Sequence, residues 1–585
     1  MKHLTILVFV ALALSAAPTA RAATLIVTNI ADSGPASLRA AVVNAADGDT
    51  IDATGVSGTI LLTSGELLAT NSLTIVGPGQ DILSVNGNAS SRVFRIGSNA
   101  VVAIAGFTIT NGLANDGGGI FNEGTLVVES TRFGGNIAER GGGIHSAGSL
   151  VISNCAFLDN SVEHSGGGIY GIGPVSLLNC TLNDNDAGVA GGSVANFGAL
   201  TVSDCTIDGN ESGSGGGIYN ESGSVTVSNT SFIRNSAEWG GGIFNNGDSG
   251  TATLTVKHSI LRDNSAVTDG GGIFNGFLLG SGSNATLHID NSTLSRNSAS
   301  YGGGGAIANL GSAAVNNCTV NDNIASYGGG IGNFSGTLAV TNSTISGNTA
   351  DFPSGVGTYV GGGIYNEGVL AVESSTISAN TAITDSGGIW TSGTATINSS
   401  IIALNAAASN ADVVGVFTGA FNFIGGDPLL GLLADNGGPT MTMALLPGSP
   451  CINAGDPAFA GPPDFDQRGP GFARVSGGRI DIGAFEVQET TTGDTDGDGV
   501  PDDVDQCPDT PSGDIVNSSG CSIGQLVPCE GPLSGGTWKN HGQYVKAVVA
   551  AARDFLNAGF ITQRQRAQIV TEAAHSKCGS KKGNQ

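Results

Sequence analysis

Residues 494–511 read DTDGDGVPDDVDQCPDTP. Counting from Asp494, acidic residues stand at positions 1, 3, 5, 9 and 12, with Gly499 at 6 and Val500 at 7. That is the ligand order of a twelve-residue calcium loop. Alternate carboxylates converge on one centre, the glycine permits the sharp turn, and position 7 offers its main-chain carbonyl. The expected ligands of a Ca²⁺ ion are therefore Asp494, Asp496, Asp498, Val500, Asp502 and Asp505. Aspartate replaces the usual glutamate at position 12, which shortens the reach of that ligand. A plain acidic linker is the competing reading.

Elsewhere the chemistry suited to binding outweighs the chemistry suited to catalysis. A run of glycines closed by an apolar residue recurs along the chain, and an aromatic side chain often follows it. Tyr170, Tyr219, Phe244, Phe274, Tyr365 and Trp390 are such residues, with Phe121 and His145 in the same place. If the apolar residue points into a core, strand alternation turns the aromatic one outward. A row of outward rings could stack on sugars, or the rings could stack on one another beneath the turns. Phe277, Leu278 and Leu279 lie in a neighbouring insertion and are further contact candidates. Asp159, Asp184, Asp263 and Asp322 recur at one turn. A cation stripe or a catalytic row is conceivable there, but solvated turn carboxylates account for them more simply. A glycosidase needs paired carboxylates, and a lyase needs Lys or Arg as base. Neither stands out as a cluster, and Lys257 is the only lysine between Lys2 and Lys539.

The elements that place these residues are set by an internal repeat. The apolar marker falls at Ile120, Ile144, Ile169, Val194, Ile218 and Ile243, then at Ile273, Ile307, Ile331, Ile364 and Ile389. An asparagine trails it in step from Asn136 to Asn405, and the common interval is 24 or 25 residues. Periods of this length mark solenoids. Each unit holds three runs of strand character, at 119–122, 125–129 and 131–133 in the opening unit. Three strands and three turns predict one coil of a parallel β-helix, right-handed because parallel crossovers are. Stacked coils about 4.8 Å apart would make a rod of roughly 60–75 Å. The marker Ile is then a core ladder, the glycines turn a corner, and the Asn takes left-handed turn geometry while bonding its stacked neighbours. The apolar residue three before each Asn, from Phe133 to Ile402, is a second core ladder. Cys155, Cys180, Cys205 and Cys318 sit five before the Asn. They read as small buried residues rather than as stacked disulfides or metal ligands, since no His travels with them.

Composition agrees with this. Charged residues make up 12% and apolar residues 40%, and 95 of 585 residues are Gly. The net charge of −26 argues against nucleic acid as a partner and fits divalent cations or neutral polymers. Residues 530–585 run the other way, with eight Lys/Arg against three Asp/Glu. The chain opens MKHLTILVFVALALSAAPTARA, a basic start, a short apolar run and a small-residue cleavage site. It reads as a secretory signal peptide over residues 1–22 and is too short for a membrane span. No later segment is long and apolar enough to be a transmembrane helix.

The paired GGGI and C/T-x-F/I-x-x-N signals resemble the repeats of polymorphic outer membrane proteins and related bacterial β-helix surface proteins. VTNIADSGPASLRAAVVNAADGDTI, residues 27–51, is similar to the cap module that precedes such helices. Residues 427–486, DPLLGLLADNGGPTMTMALLPGSPCINAG…DQRG…RIDIGAFE, are similar to the choice-of-anchor Q end module. The calcium loop resembles a thrombospondin type-3 repeat, which implies a Cys507–Cys521 disulfide. Cys529 and Cys578 are then the remaining cysteines of the tail, and an exported compartment permits both bonds. Helical periodicity runs through Tyr544, Val548, Ala552 and Phe555, with a second helix expected over residues 562–574.

The expected fold is all-β, a right-handed parallel β-helix of the pectate-lyase-like kind, with a small calcium loop and an α-helical hairpin. Its divisions are the signal peptide 1–22, cap and first coils 23–110, β-helix repeats 111–425, end module 426–487, calcium loop and linker 488–528, and helical module 529–585. The resemblances imply a secreted or cell-surface protein and no particular reaction. The expected function is non-catalytic adhesion or binding of a polysaccharide or other polymer. The alternative is a carbohydrate-active enzyme, a lyase or glycosidase, using one face of the rod. The sequence does not give an oligomeric state.

Overall fold

The computed structural model describes residues 22–277, 283–351, 359–488, 494–500, 502, 504–511 and 513–579. The chain winds into a parallel β-helix. From Leu113 to Ala382 each coil has four strands, not three, while the first and last coils lack the fourth. In the coil that starts at Ile120 they are Ile120–Asn122, Thr125–Glu129, Arg132–Gly134 and Ile137–Arg140. Their equivalents stack into sheets I to IV, of 14, 15, 15 and 11 strands. Sheet II runs from Thr24–Ile26 to Thr394–Asn398. Fifteen strands at the usual spacing give it a length of about 67 Å. The fourth strand escapes a sequence reading because it buries little, often a single small residue such as Ala138, Val162 or Ala187.

Registers are in phase with the repeat. Ile120 pairs with Ile144, Ile144 with Ile169 and Ile169 with Val194, all fully buried. Phe133 pairs with Phe157 and Phe157 with Leu182, the two rings lying 4.6 Å apart at 5°. The corner before each Ile needs glycine for two reasons. Gly117 holds φ +64°, and a Cβ on Gly118 would stand 2.6 Å from the Ile137 carbonyl oxygen.

The trailing Asn has another role than the one expected. The left-handed residue is the one before it, with φ of +54° at Asp159, +53° at Asp184 and +59° at Asp263. The Asn itself points inward and is buried. Asn136 Nδ2 donates to Asn160 Oδ1 at 2.9 Å and to the Ile109 carbonyl at 3.0 Å. Asn160 repeats the pattern on Asn185, and the ladder continues to Asn405, which donates to Asp412 Oδ1 at 3.0 Å. A second ladder, unforeseen in the sequence, runs from Asn196 through Asn220, Asn245, Asn275, Asn309 and Asn333 to Asn366. The cysteines belong to a third. Thr131 N–H donates to Cys155 Sγ, Cys180 N–H to Cys205 Sγ, Cys205 N–H to Thr230 Oγ1 and Cys318 N–H to Ser343 Oγ. The thiols thus share their places with Ser and Thr. All four are buried and unpaired, and burial pushes Cys155 and Cys318 up to about 12.

Both ends of the rod are modified. Helix Leu38–Asn44, capped by Ser37, buries Leu38, Ala41 and Val42 against the first coils. At the other end residues 427–487 turn back along the flank. Thr440 Oγ1 donates to the Asn317 carbonyl, Asn342 Nδ2 to the Phe465 carbonyl and Thr344 Oγ1 to Gln467 Oε1. Inside this module Arg468 pairs with Asp466 at 2.6 Å and lies between the rings of Phe472 and Phe485. The tail carries the disulfides Cys507–Cys521 and Cys529–Cys578 and the helices His541–Asn557 and Gln563–His575.

In the asparagine ladder each amide serves both neighbours. Asn235→Ala strips the main-chain N–H and Nδ2 of Asn210 of their shared acceptor and the Ile207 carbonyl of its amide donor, while Asn264 Oδ1 keeps the main-chain N–H of residue 235. At about 1–3 kcal/mol for each buried group left unsatisfied, the variant is expected to lose roughly 3 kcal/mol or more in denaturant unfolding. Asn229→Ala, at a turn outside the ladder, is the control and should lose far less.

Candidate functional site

The calcium loop brings together three of its six expected ligands. Carboxylate oxygens of Asp494, Asp496 and Asp498 lie within 4.8 Å of one another. Main-chain N–H groups shape the cluster. Asp494 accepts from Gly497 at 2.8 Å and Gly499 at 2.9 Å, which holds its carboxyl below the usual range. Asp496 accepts from Thr510 N–H at 2.6 Å, and Asp498 Oδ1 from Val500 N–H at 2.8 Å. Asp498 Oδ2 is buried without a partner. Burial, with the charges of Asp496 and Asp505, pushes that carboxyl up. Asp502 is turned to Thr495, accepting from its N–H and Oγ1 at 2.7 Å each, and Asp505 accepts from Cys507 N–H at 2.7 Å. Gly520 closes the cradle: a Cβ there would meet Asp505 Oδ1 at 1.9 Å and Asp498 Oδ2 at 3.1 Å. The adjacent Cys507–Cys521 bond holds that glycine in place. An unpartnered carboxylate oxygen facing like charges, in a set of hard oxygens, fits a divalent cation such as Ca²⁺.

The aromatic row points away from the core, yet much of it is covered. Tyr170, Phe244 and Phe274 are buried, so they are not the sugar platforms the sequence suggested. The rings pack on one another along the rod: His145 on Tyr170 at 4.8 Å, Tyr219 on Phe244 at 5.5 Å and Phe244 on Phe274 at 4.8 Å. Where the row holds Ala195 or Gly332, Phe197 and Phe334 swing in from the following turn to fill the gap. Strands at the parallel spacing leave no room for a sugar between such rings. Tyr219, Tyr365 and Trp390 stay half-buried, with Trp390 stacked on Tyr365 at 4.8 Å and 6°. Phe277 is half-buried, while Leu278 and Leu279 fall outside the described residues.

The recurring aspartates form no catalytic pair. They occupy the left-handed turn, and Asp263 is held by Arg262 at 2.7 Å and Arg296 at 2.8 Å. Arg234 and Arg296 take the same place on other coils, so the row alternates in sign from Arg234 to Asp322, while Asp159 and Asp184 stand on consecutive coils.

A groove that the sequence did not disclose lies beyond the far end of the sheet II strands. Its floor carries Lys257, Asp290, Asn316, Thr341 and Glu373, which stand side by side on five successive strands. Thr255 and His288 line it one step back, and Pro462 and Pro463 of the returning end module form the opposing wall. Its volume is about 550 Å³. An amide relay stiffens the floor: Asn342 Nδ2 donates to Asn317 Oδ1 at 2.7 Å, and Asn317 Nδ2 to Asp290 Oδ1 at 2.9 Å. Five strands span about 19 Å at the parallel spacing, so the groove is long and open rather than a pocket for a small molecule.

Among known proteins, residues 204–221 match the Chlamydia polymorphic membrane protein repeat. No curated protein sequence matches the chain. Two solved structures are similar to it, both at 12% identity. One is titled a complex structure of alginate lyase AlyF-OU02 with G6, with a TM-score of 0.34, covering 61% of this chain and 86% of that one. The other is titled a new PL6 alginate lyase complex with trisaccharide, with a TM-score of 0.33, covering 65% and 86%. At that level the likeness carries no argument about activity. Among the described residues no helix is long and apolar enough to cross a membrane.

If the buried rings are structural, Phe274→Ala should cost about 3–5 kcal/mol in unfolding. Retention of any polymer, measured below the melting transition, should not change. Loss of retention at unchanged stability would return Phe274 to the list of contact residues.

Proposed function

We propose that the chain is an exported, secreted or cell-surface β-helix protein that binds an extended extracellular polymer, a polysaccharide, with its C-terminal region held by Ca²⁺. The observation that carries this reading is the groove beside sheet II, built by successive coils on one side and residues 462–463 on the other. A repeating scaffold offers the same polar groups at a fixed spacing, which suits a polymer better than a compact ligand. The match to a membrane-protein repeat and the two tail disulfides agree with an exported surface protein. The half-buried Tyr219, Tyr365, Trp390 and Phe277 remain secondary contact candidates on other parts of the rod.

An enzymatic reading keeps one support, the four ionisable residues Lys257, His288, Asp290 and Glu373 in a single groove. Asp290 and Glu373 are three strands apart, about 14 Å along the rod, beyond the separation of glycosidase carboxyl pairs. Of the enzymatic options this leaves a lyase with Lys257 as base.

The test is retention of the full chain on a panel of immobilised polysaccharides, with new reducing and unsaturated ends measured in the same samples. Retention without cleavage is expected. Thr255→Trp with Thr341→Trp, both on the solvent side of sheet II, should fill the groove and abolish retention without moving the melting transition. New unsaturated ends, lost in Lys257→Met, would establish the lyase instead.

For the loop, calorimetric titration should find one Ca²⁺ site per chain, removed by Asp496→Ala or Asp498→Ala. Chelation should expose residues 494–511 to protease and leave the β-helix transition in place. An unchanged digest and no heat of binding would leave the segment an acidic linker.

A further inference from the structure

Basic side chains are scarce in the β-helix and its end module, and nearly all are engaged. Arg39, Arg92, Arg95, Arg132, Arg140, Arg234, Arg262, Arg296 and Arg468 pair with carboxylates. Arg474 and Arg479 donate to main-chain carbonyls. Lys257 is the exception: among the described residues it has no ion pair and no hydrogen bond from its side chain. Yet it stands in register beside a carboxylate, Asp290, on the next strand. Asp290 is already engaged, with Oδ1 accepting from Asn317 Nδ2 at 2.9 Å and Oδ2 from Asn291 Nδ2 at 3.0 Å. Two neutral amides thus take one acceptor site on each oxygen of the carboxylate that lies nearest in register, and neither oxygen bonds the ammonium. The ammonium is left exposed at one end of the groove, with the imidazole of His288 one position back on the neighbouring strand.

The arrangement is polar along its length. Lys257 stands at one end and Glu373 at the other; between them lie Asp290, whose oxygens face Asn291 and Asn317, and then amides and hydroxyls. We infer that the groove binds an acidic polysaccharide, with the carboxylate of a uronate unit on Lys257 and the hydroxyls of the following units over Asn316, Asn317 and Thr341. This rests on the reading of the groove as a polymer site. The net negative charge of the chain does not forbid it. At physiological salt the Debye length is about 8 Å, so an ammonium in direct contact with its partner outweighs more distant carboxylates of the rod. Lys257 is a specificity-determining residue here; its charge selects the ligand, and the polar floor supplies the rest of the contact.

The experiment measures binding of the full chain to three soluble oligomers of equal length: a polyuronate, a neutral glucan and a sulfated glucan. The polyuronate is expected to bind most tightly. Lys257→Gln should weaken it about tenfold, the loss of one charge-assisted contact, and Lys257→Arg should restore most of it. Glu373→Gln, which removes a like charge from the far end, should leave polyuronate binding unchanged or tighter. Both positions are exposed, and unchanged melting curves establish that the variants are folded. Equal binding of the neutral glucan, with no effect of Lys257→Gln, overturns this inference and leaves the groove reading intact. Preference for the sulfated glucan overturns the assignment to a carboxylate. Failure of all three oligomers to bind overturns the groove reading itself.

Discussion

Stacking of parallel strands in register, one coil directly on the next, is the constraint from which the rest follows. Each side chain faces its counterpart about 4.8 Å away on the coils above and below. Apolar residues meet this easily, and identical charges do not. The low charge content of the chain is therefore a consequence of its fold. Along one stretch of the turn row the charges alternate, as in Arg234, Asp263, Arg296 and Asp322, and like charges that do stack, such as Asp159 and Asp184, lie at exposed turns. Asparagine solves the same problem for buried polar groups. Its amide both donates and accepts, so one residue type can be repeated indefinitely with each member satisfying the next. Serine, threonine and cysteine at the third ladder do likewise with the main-chain N–H of the preceding coil.

What could be read from the sequence is what this constraint repeats. The period, the marker Ile, the Phe133-to-Ile402 ladder and the buried cysteines are visible because each recurs with the coil. Of the tail disulfides, Cys507–Cys521 was legible from the resemblance to a known repeat, and Cys529–Cys578 only as the pair of cysteines that then remained in the tail. The fourth strand was not, since Ile137–Arg140 and its equivalents have short, weakly alternating sequences and at most two buried residues each, all small. The ladder Asn was recognised, but its conformation was assigned one residue too late. Asparagine is at home in left-handed turns, and nothing local distinguishes a turn Asn from an inward one. The second ladder is written out in IFN, IYN and IGN, where the Asn lies on the same side of the strand as the buried Ile, but an Asn at a strand end is equally suited to the turn that follows.

The aromatic residue between Ile and Asn separates outward from accessible. Strand alternation places Phe244 and Phe274 on the outer side of sheet I, and they are nonetheless buried, by ring neighbours and by residues such as Trp239 and Leu310 from adjoining turns. In a solenoid the outer face of a strand is a second packing surface wherever the side chains are large enough to touch along the stack. Accessibility is left to rows of small polar residues, such as the floor of the groove. A sequence shows the alternation; which outer row is covered depends on turns whose path it does not show.

The groove depends on a departure from the repeat. Sheet II alone would present a flat outer face like any other. It acquires a wall because the end module, instead of merely closing the last coil, returns along the flank and fastens to coils more than a hundred residues earlier through Thr440, Phe465 and Gln467. Those contacts have no local signature, which is why the site was hidden in the sequence. The same return covers apolar surface on the flank, burying Ile401 and Ala403 with Leu445, Cys451 and Ile482. One segment thus adds to the core and, by the path it takes, gives a regular surface a wall on one side. Its buried Arg468–Asp466 pair, clasped between two aromatic rings, fixes that path from within. The shape of that surface then depends on which coils the module crosses, and only secondarily on the repeat that built them.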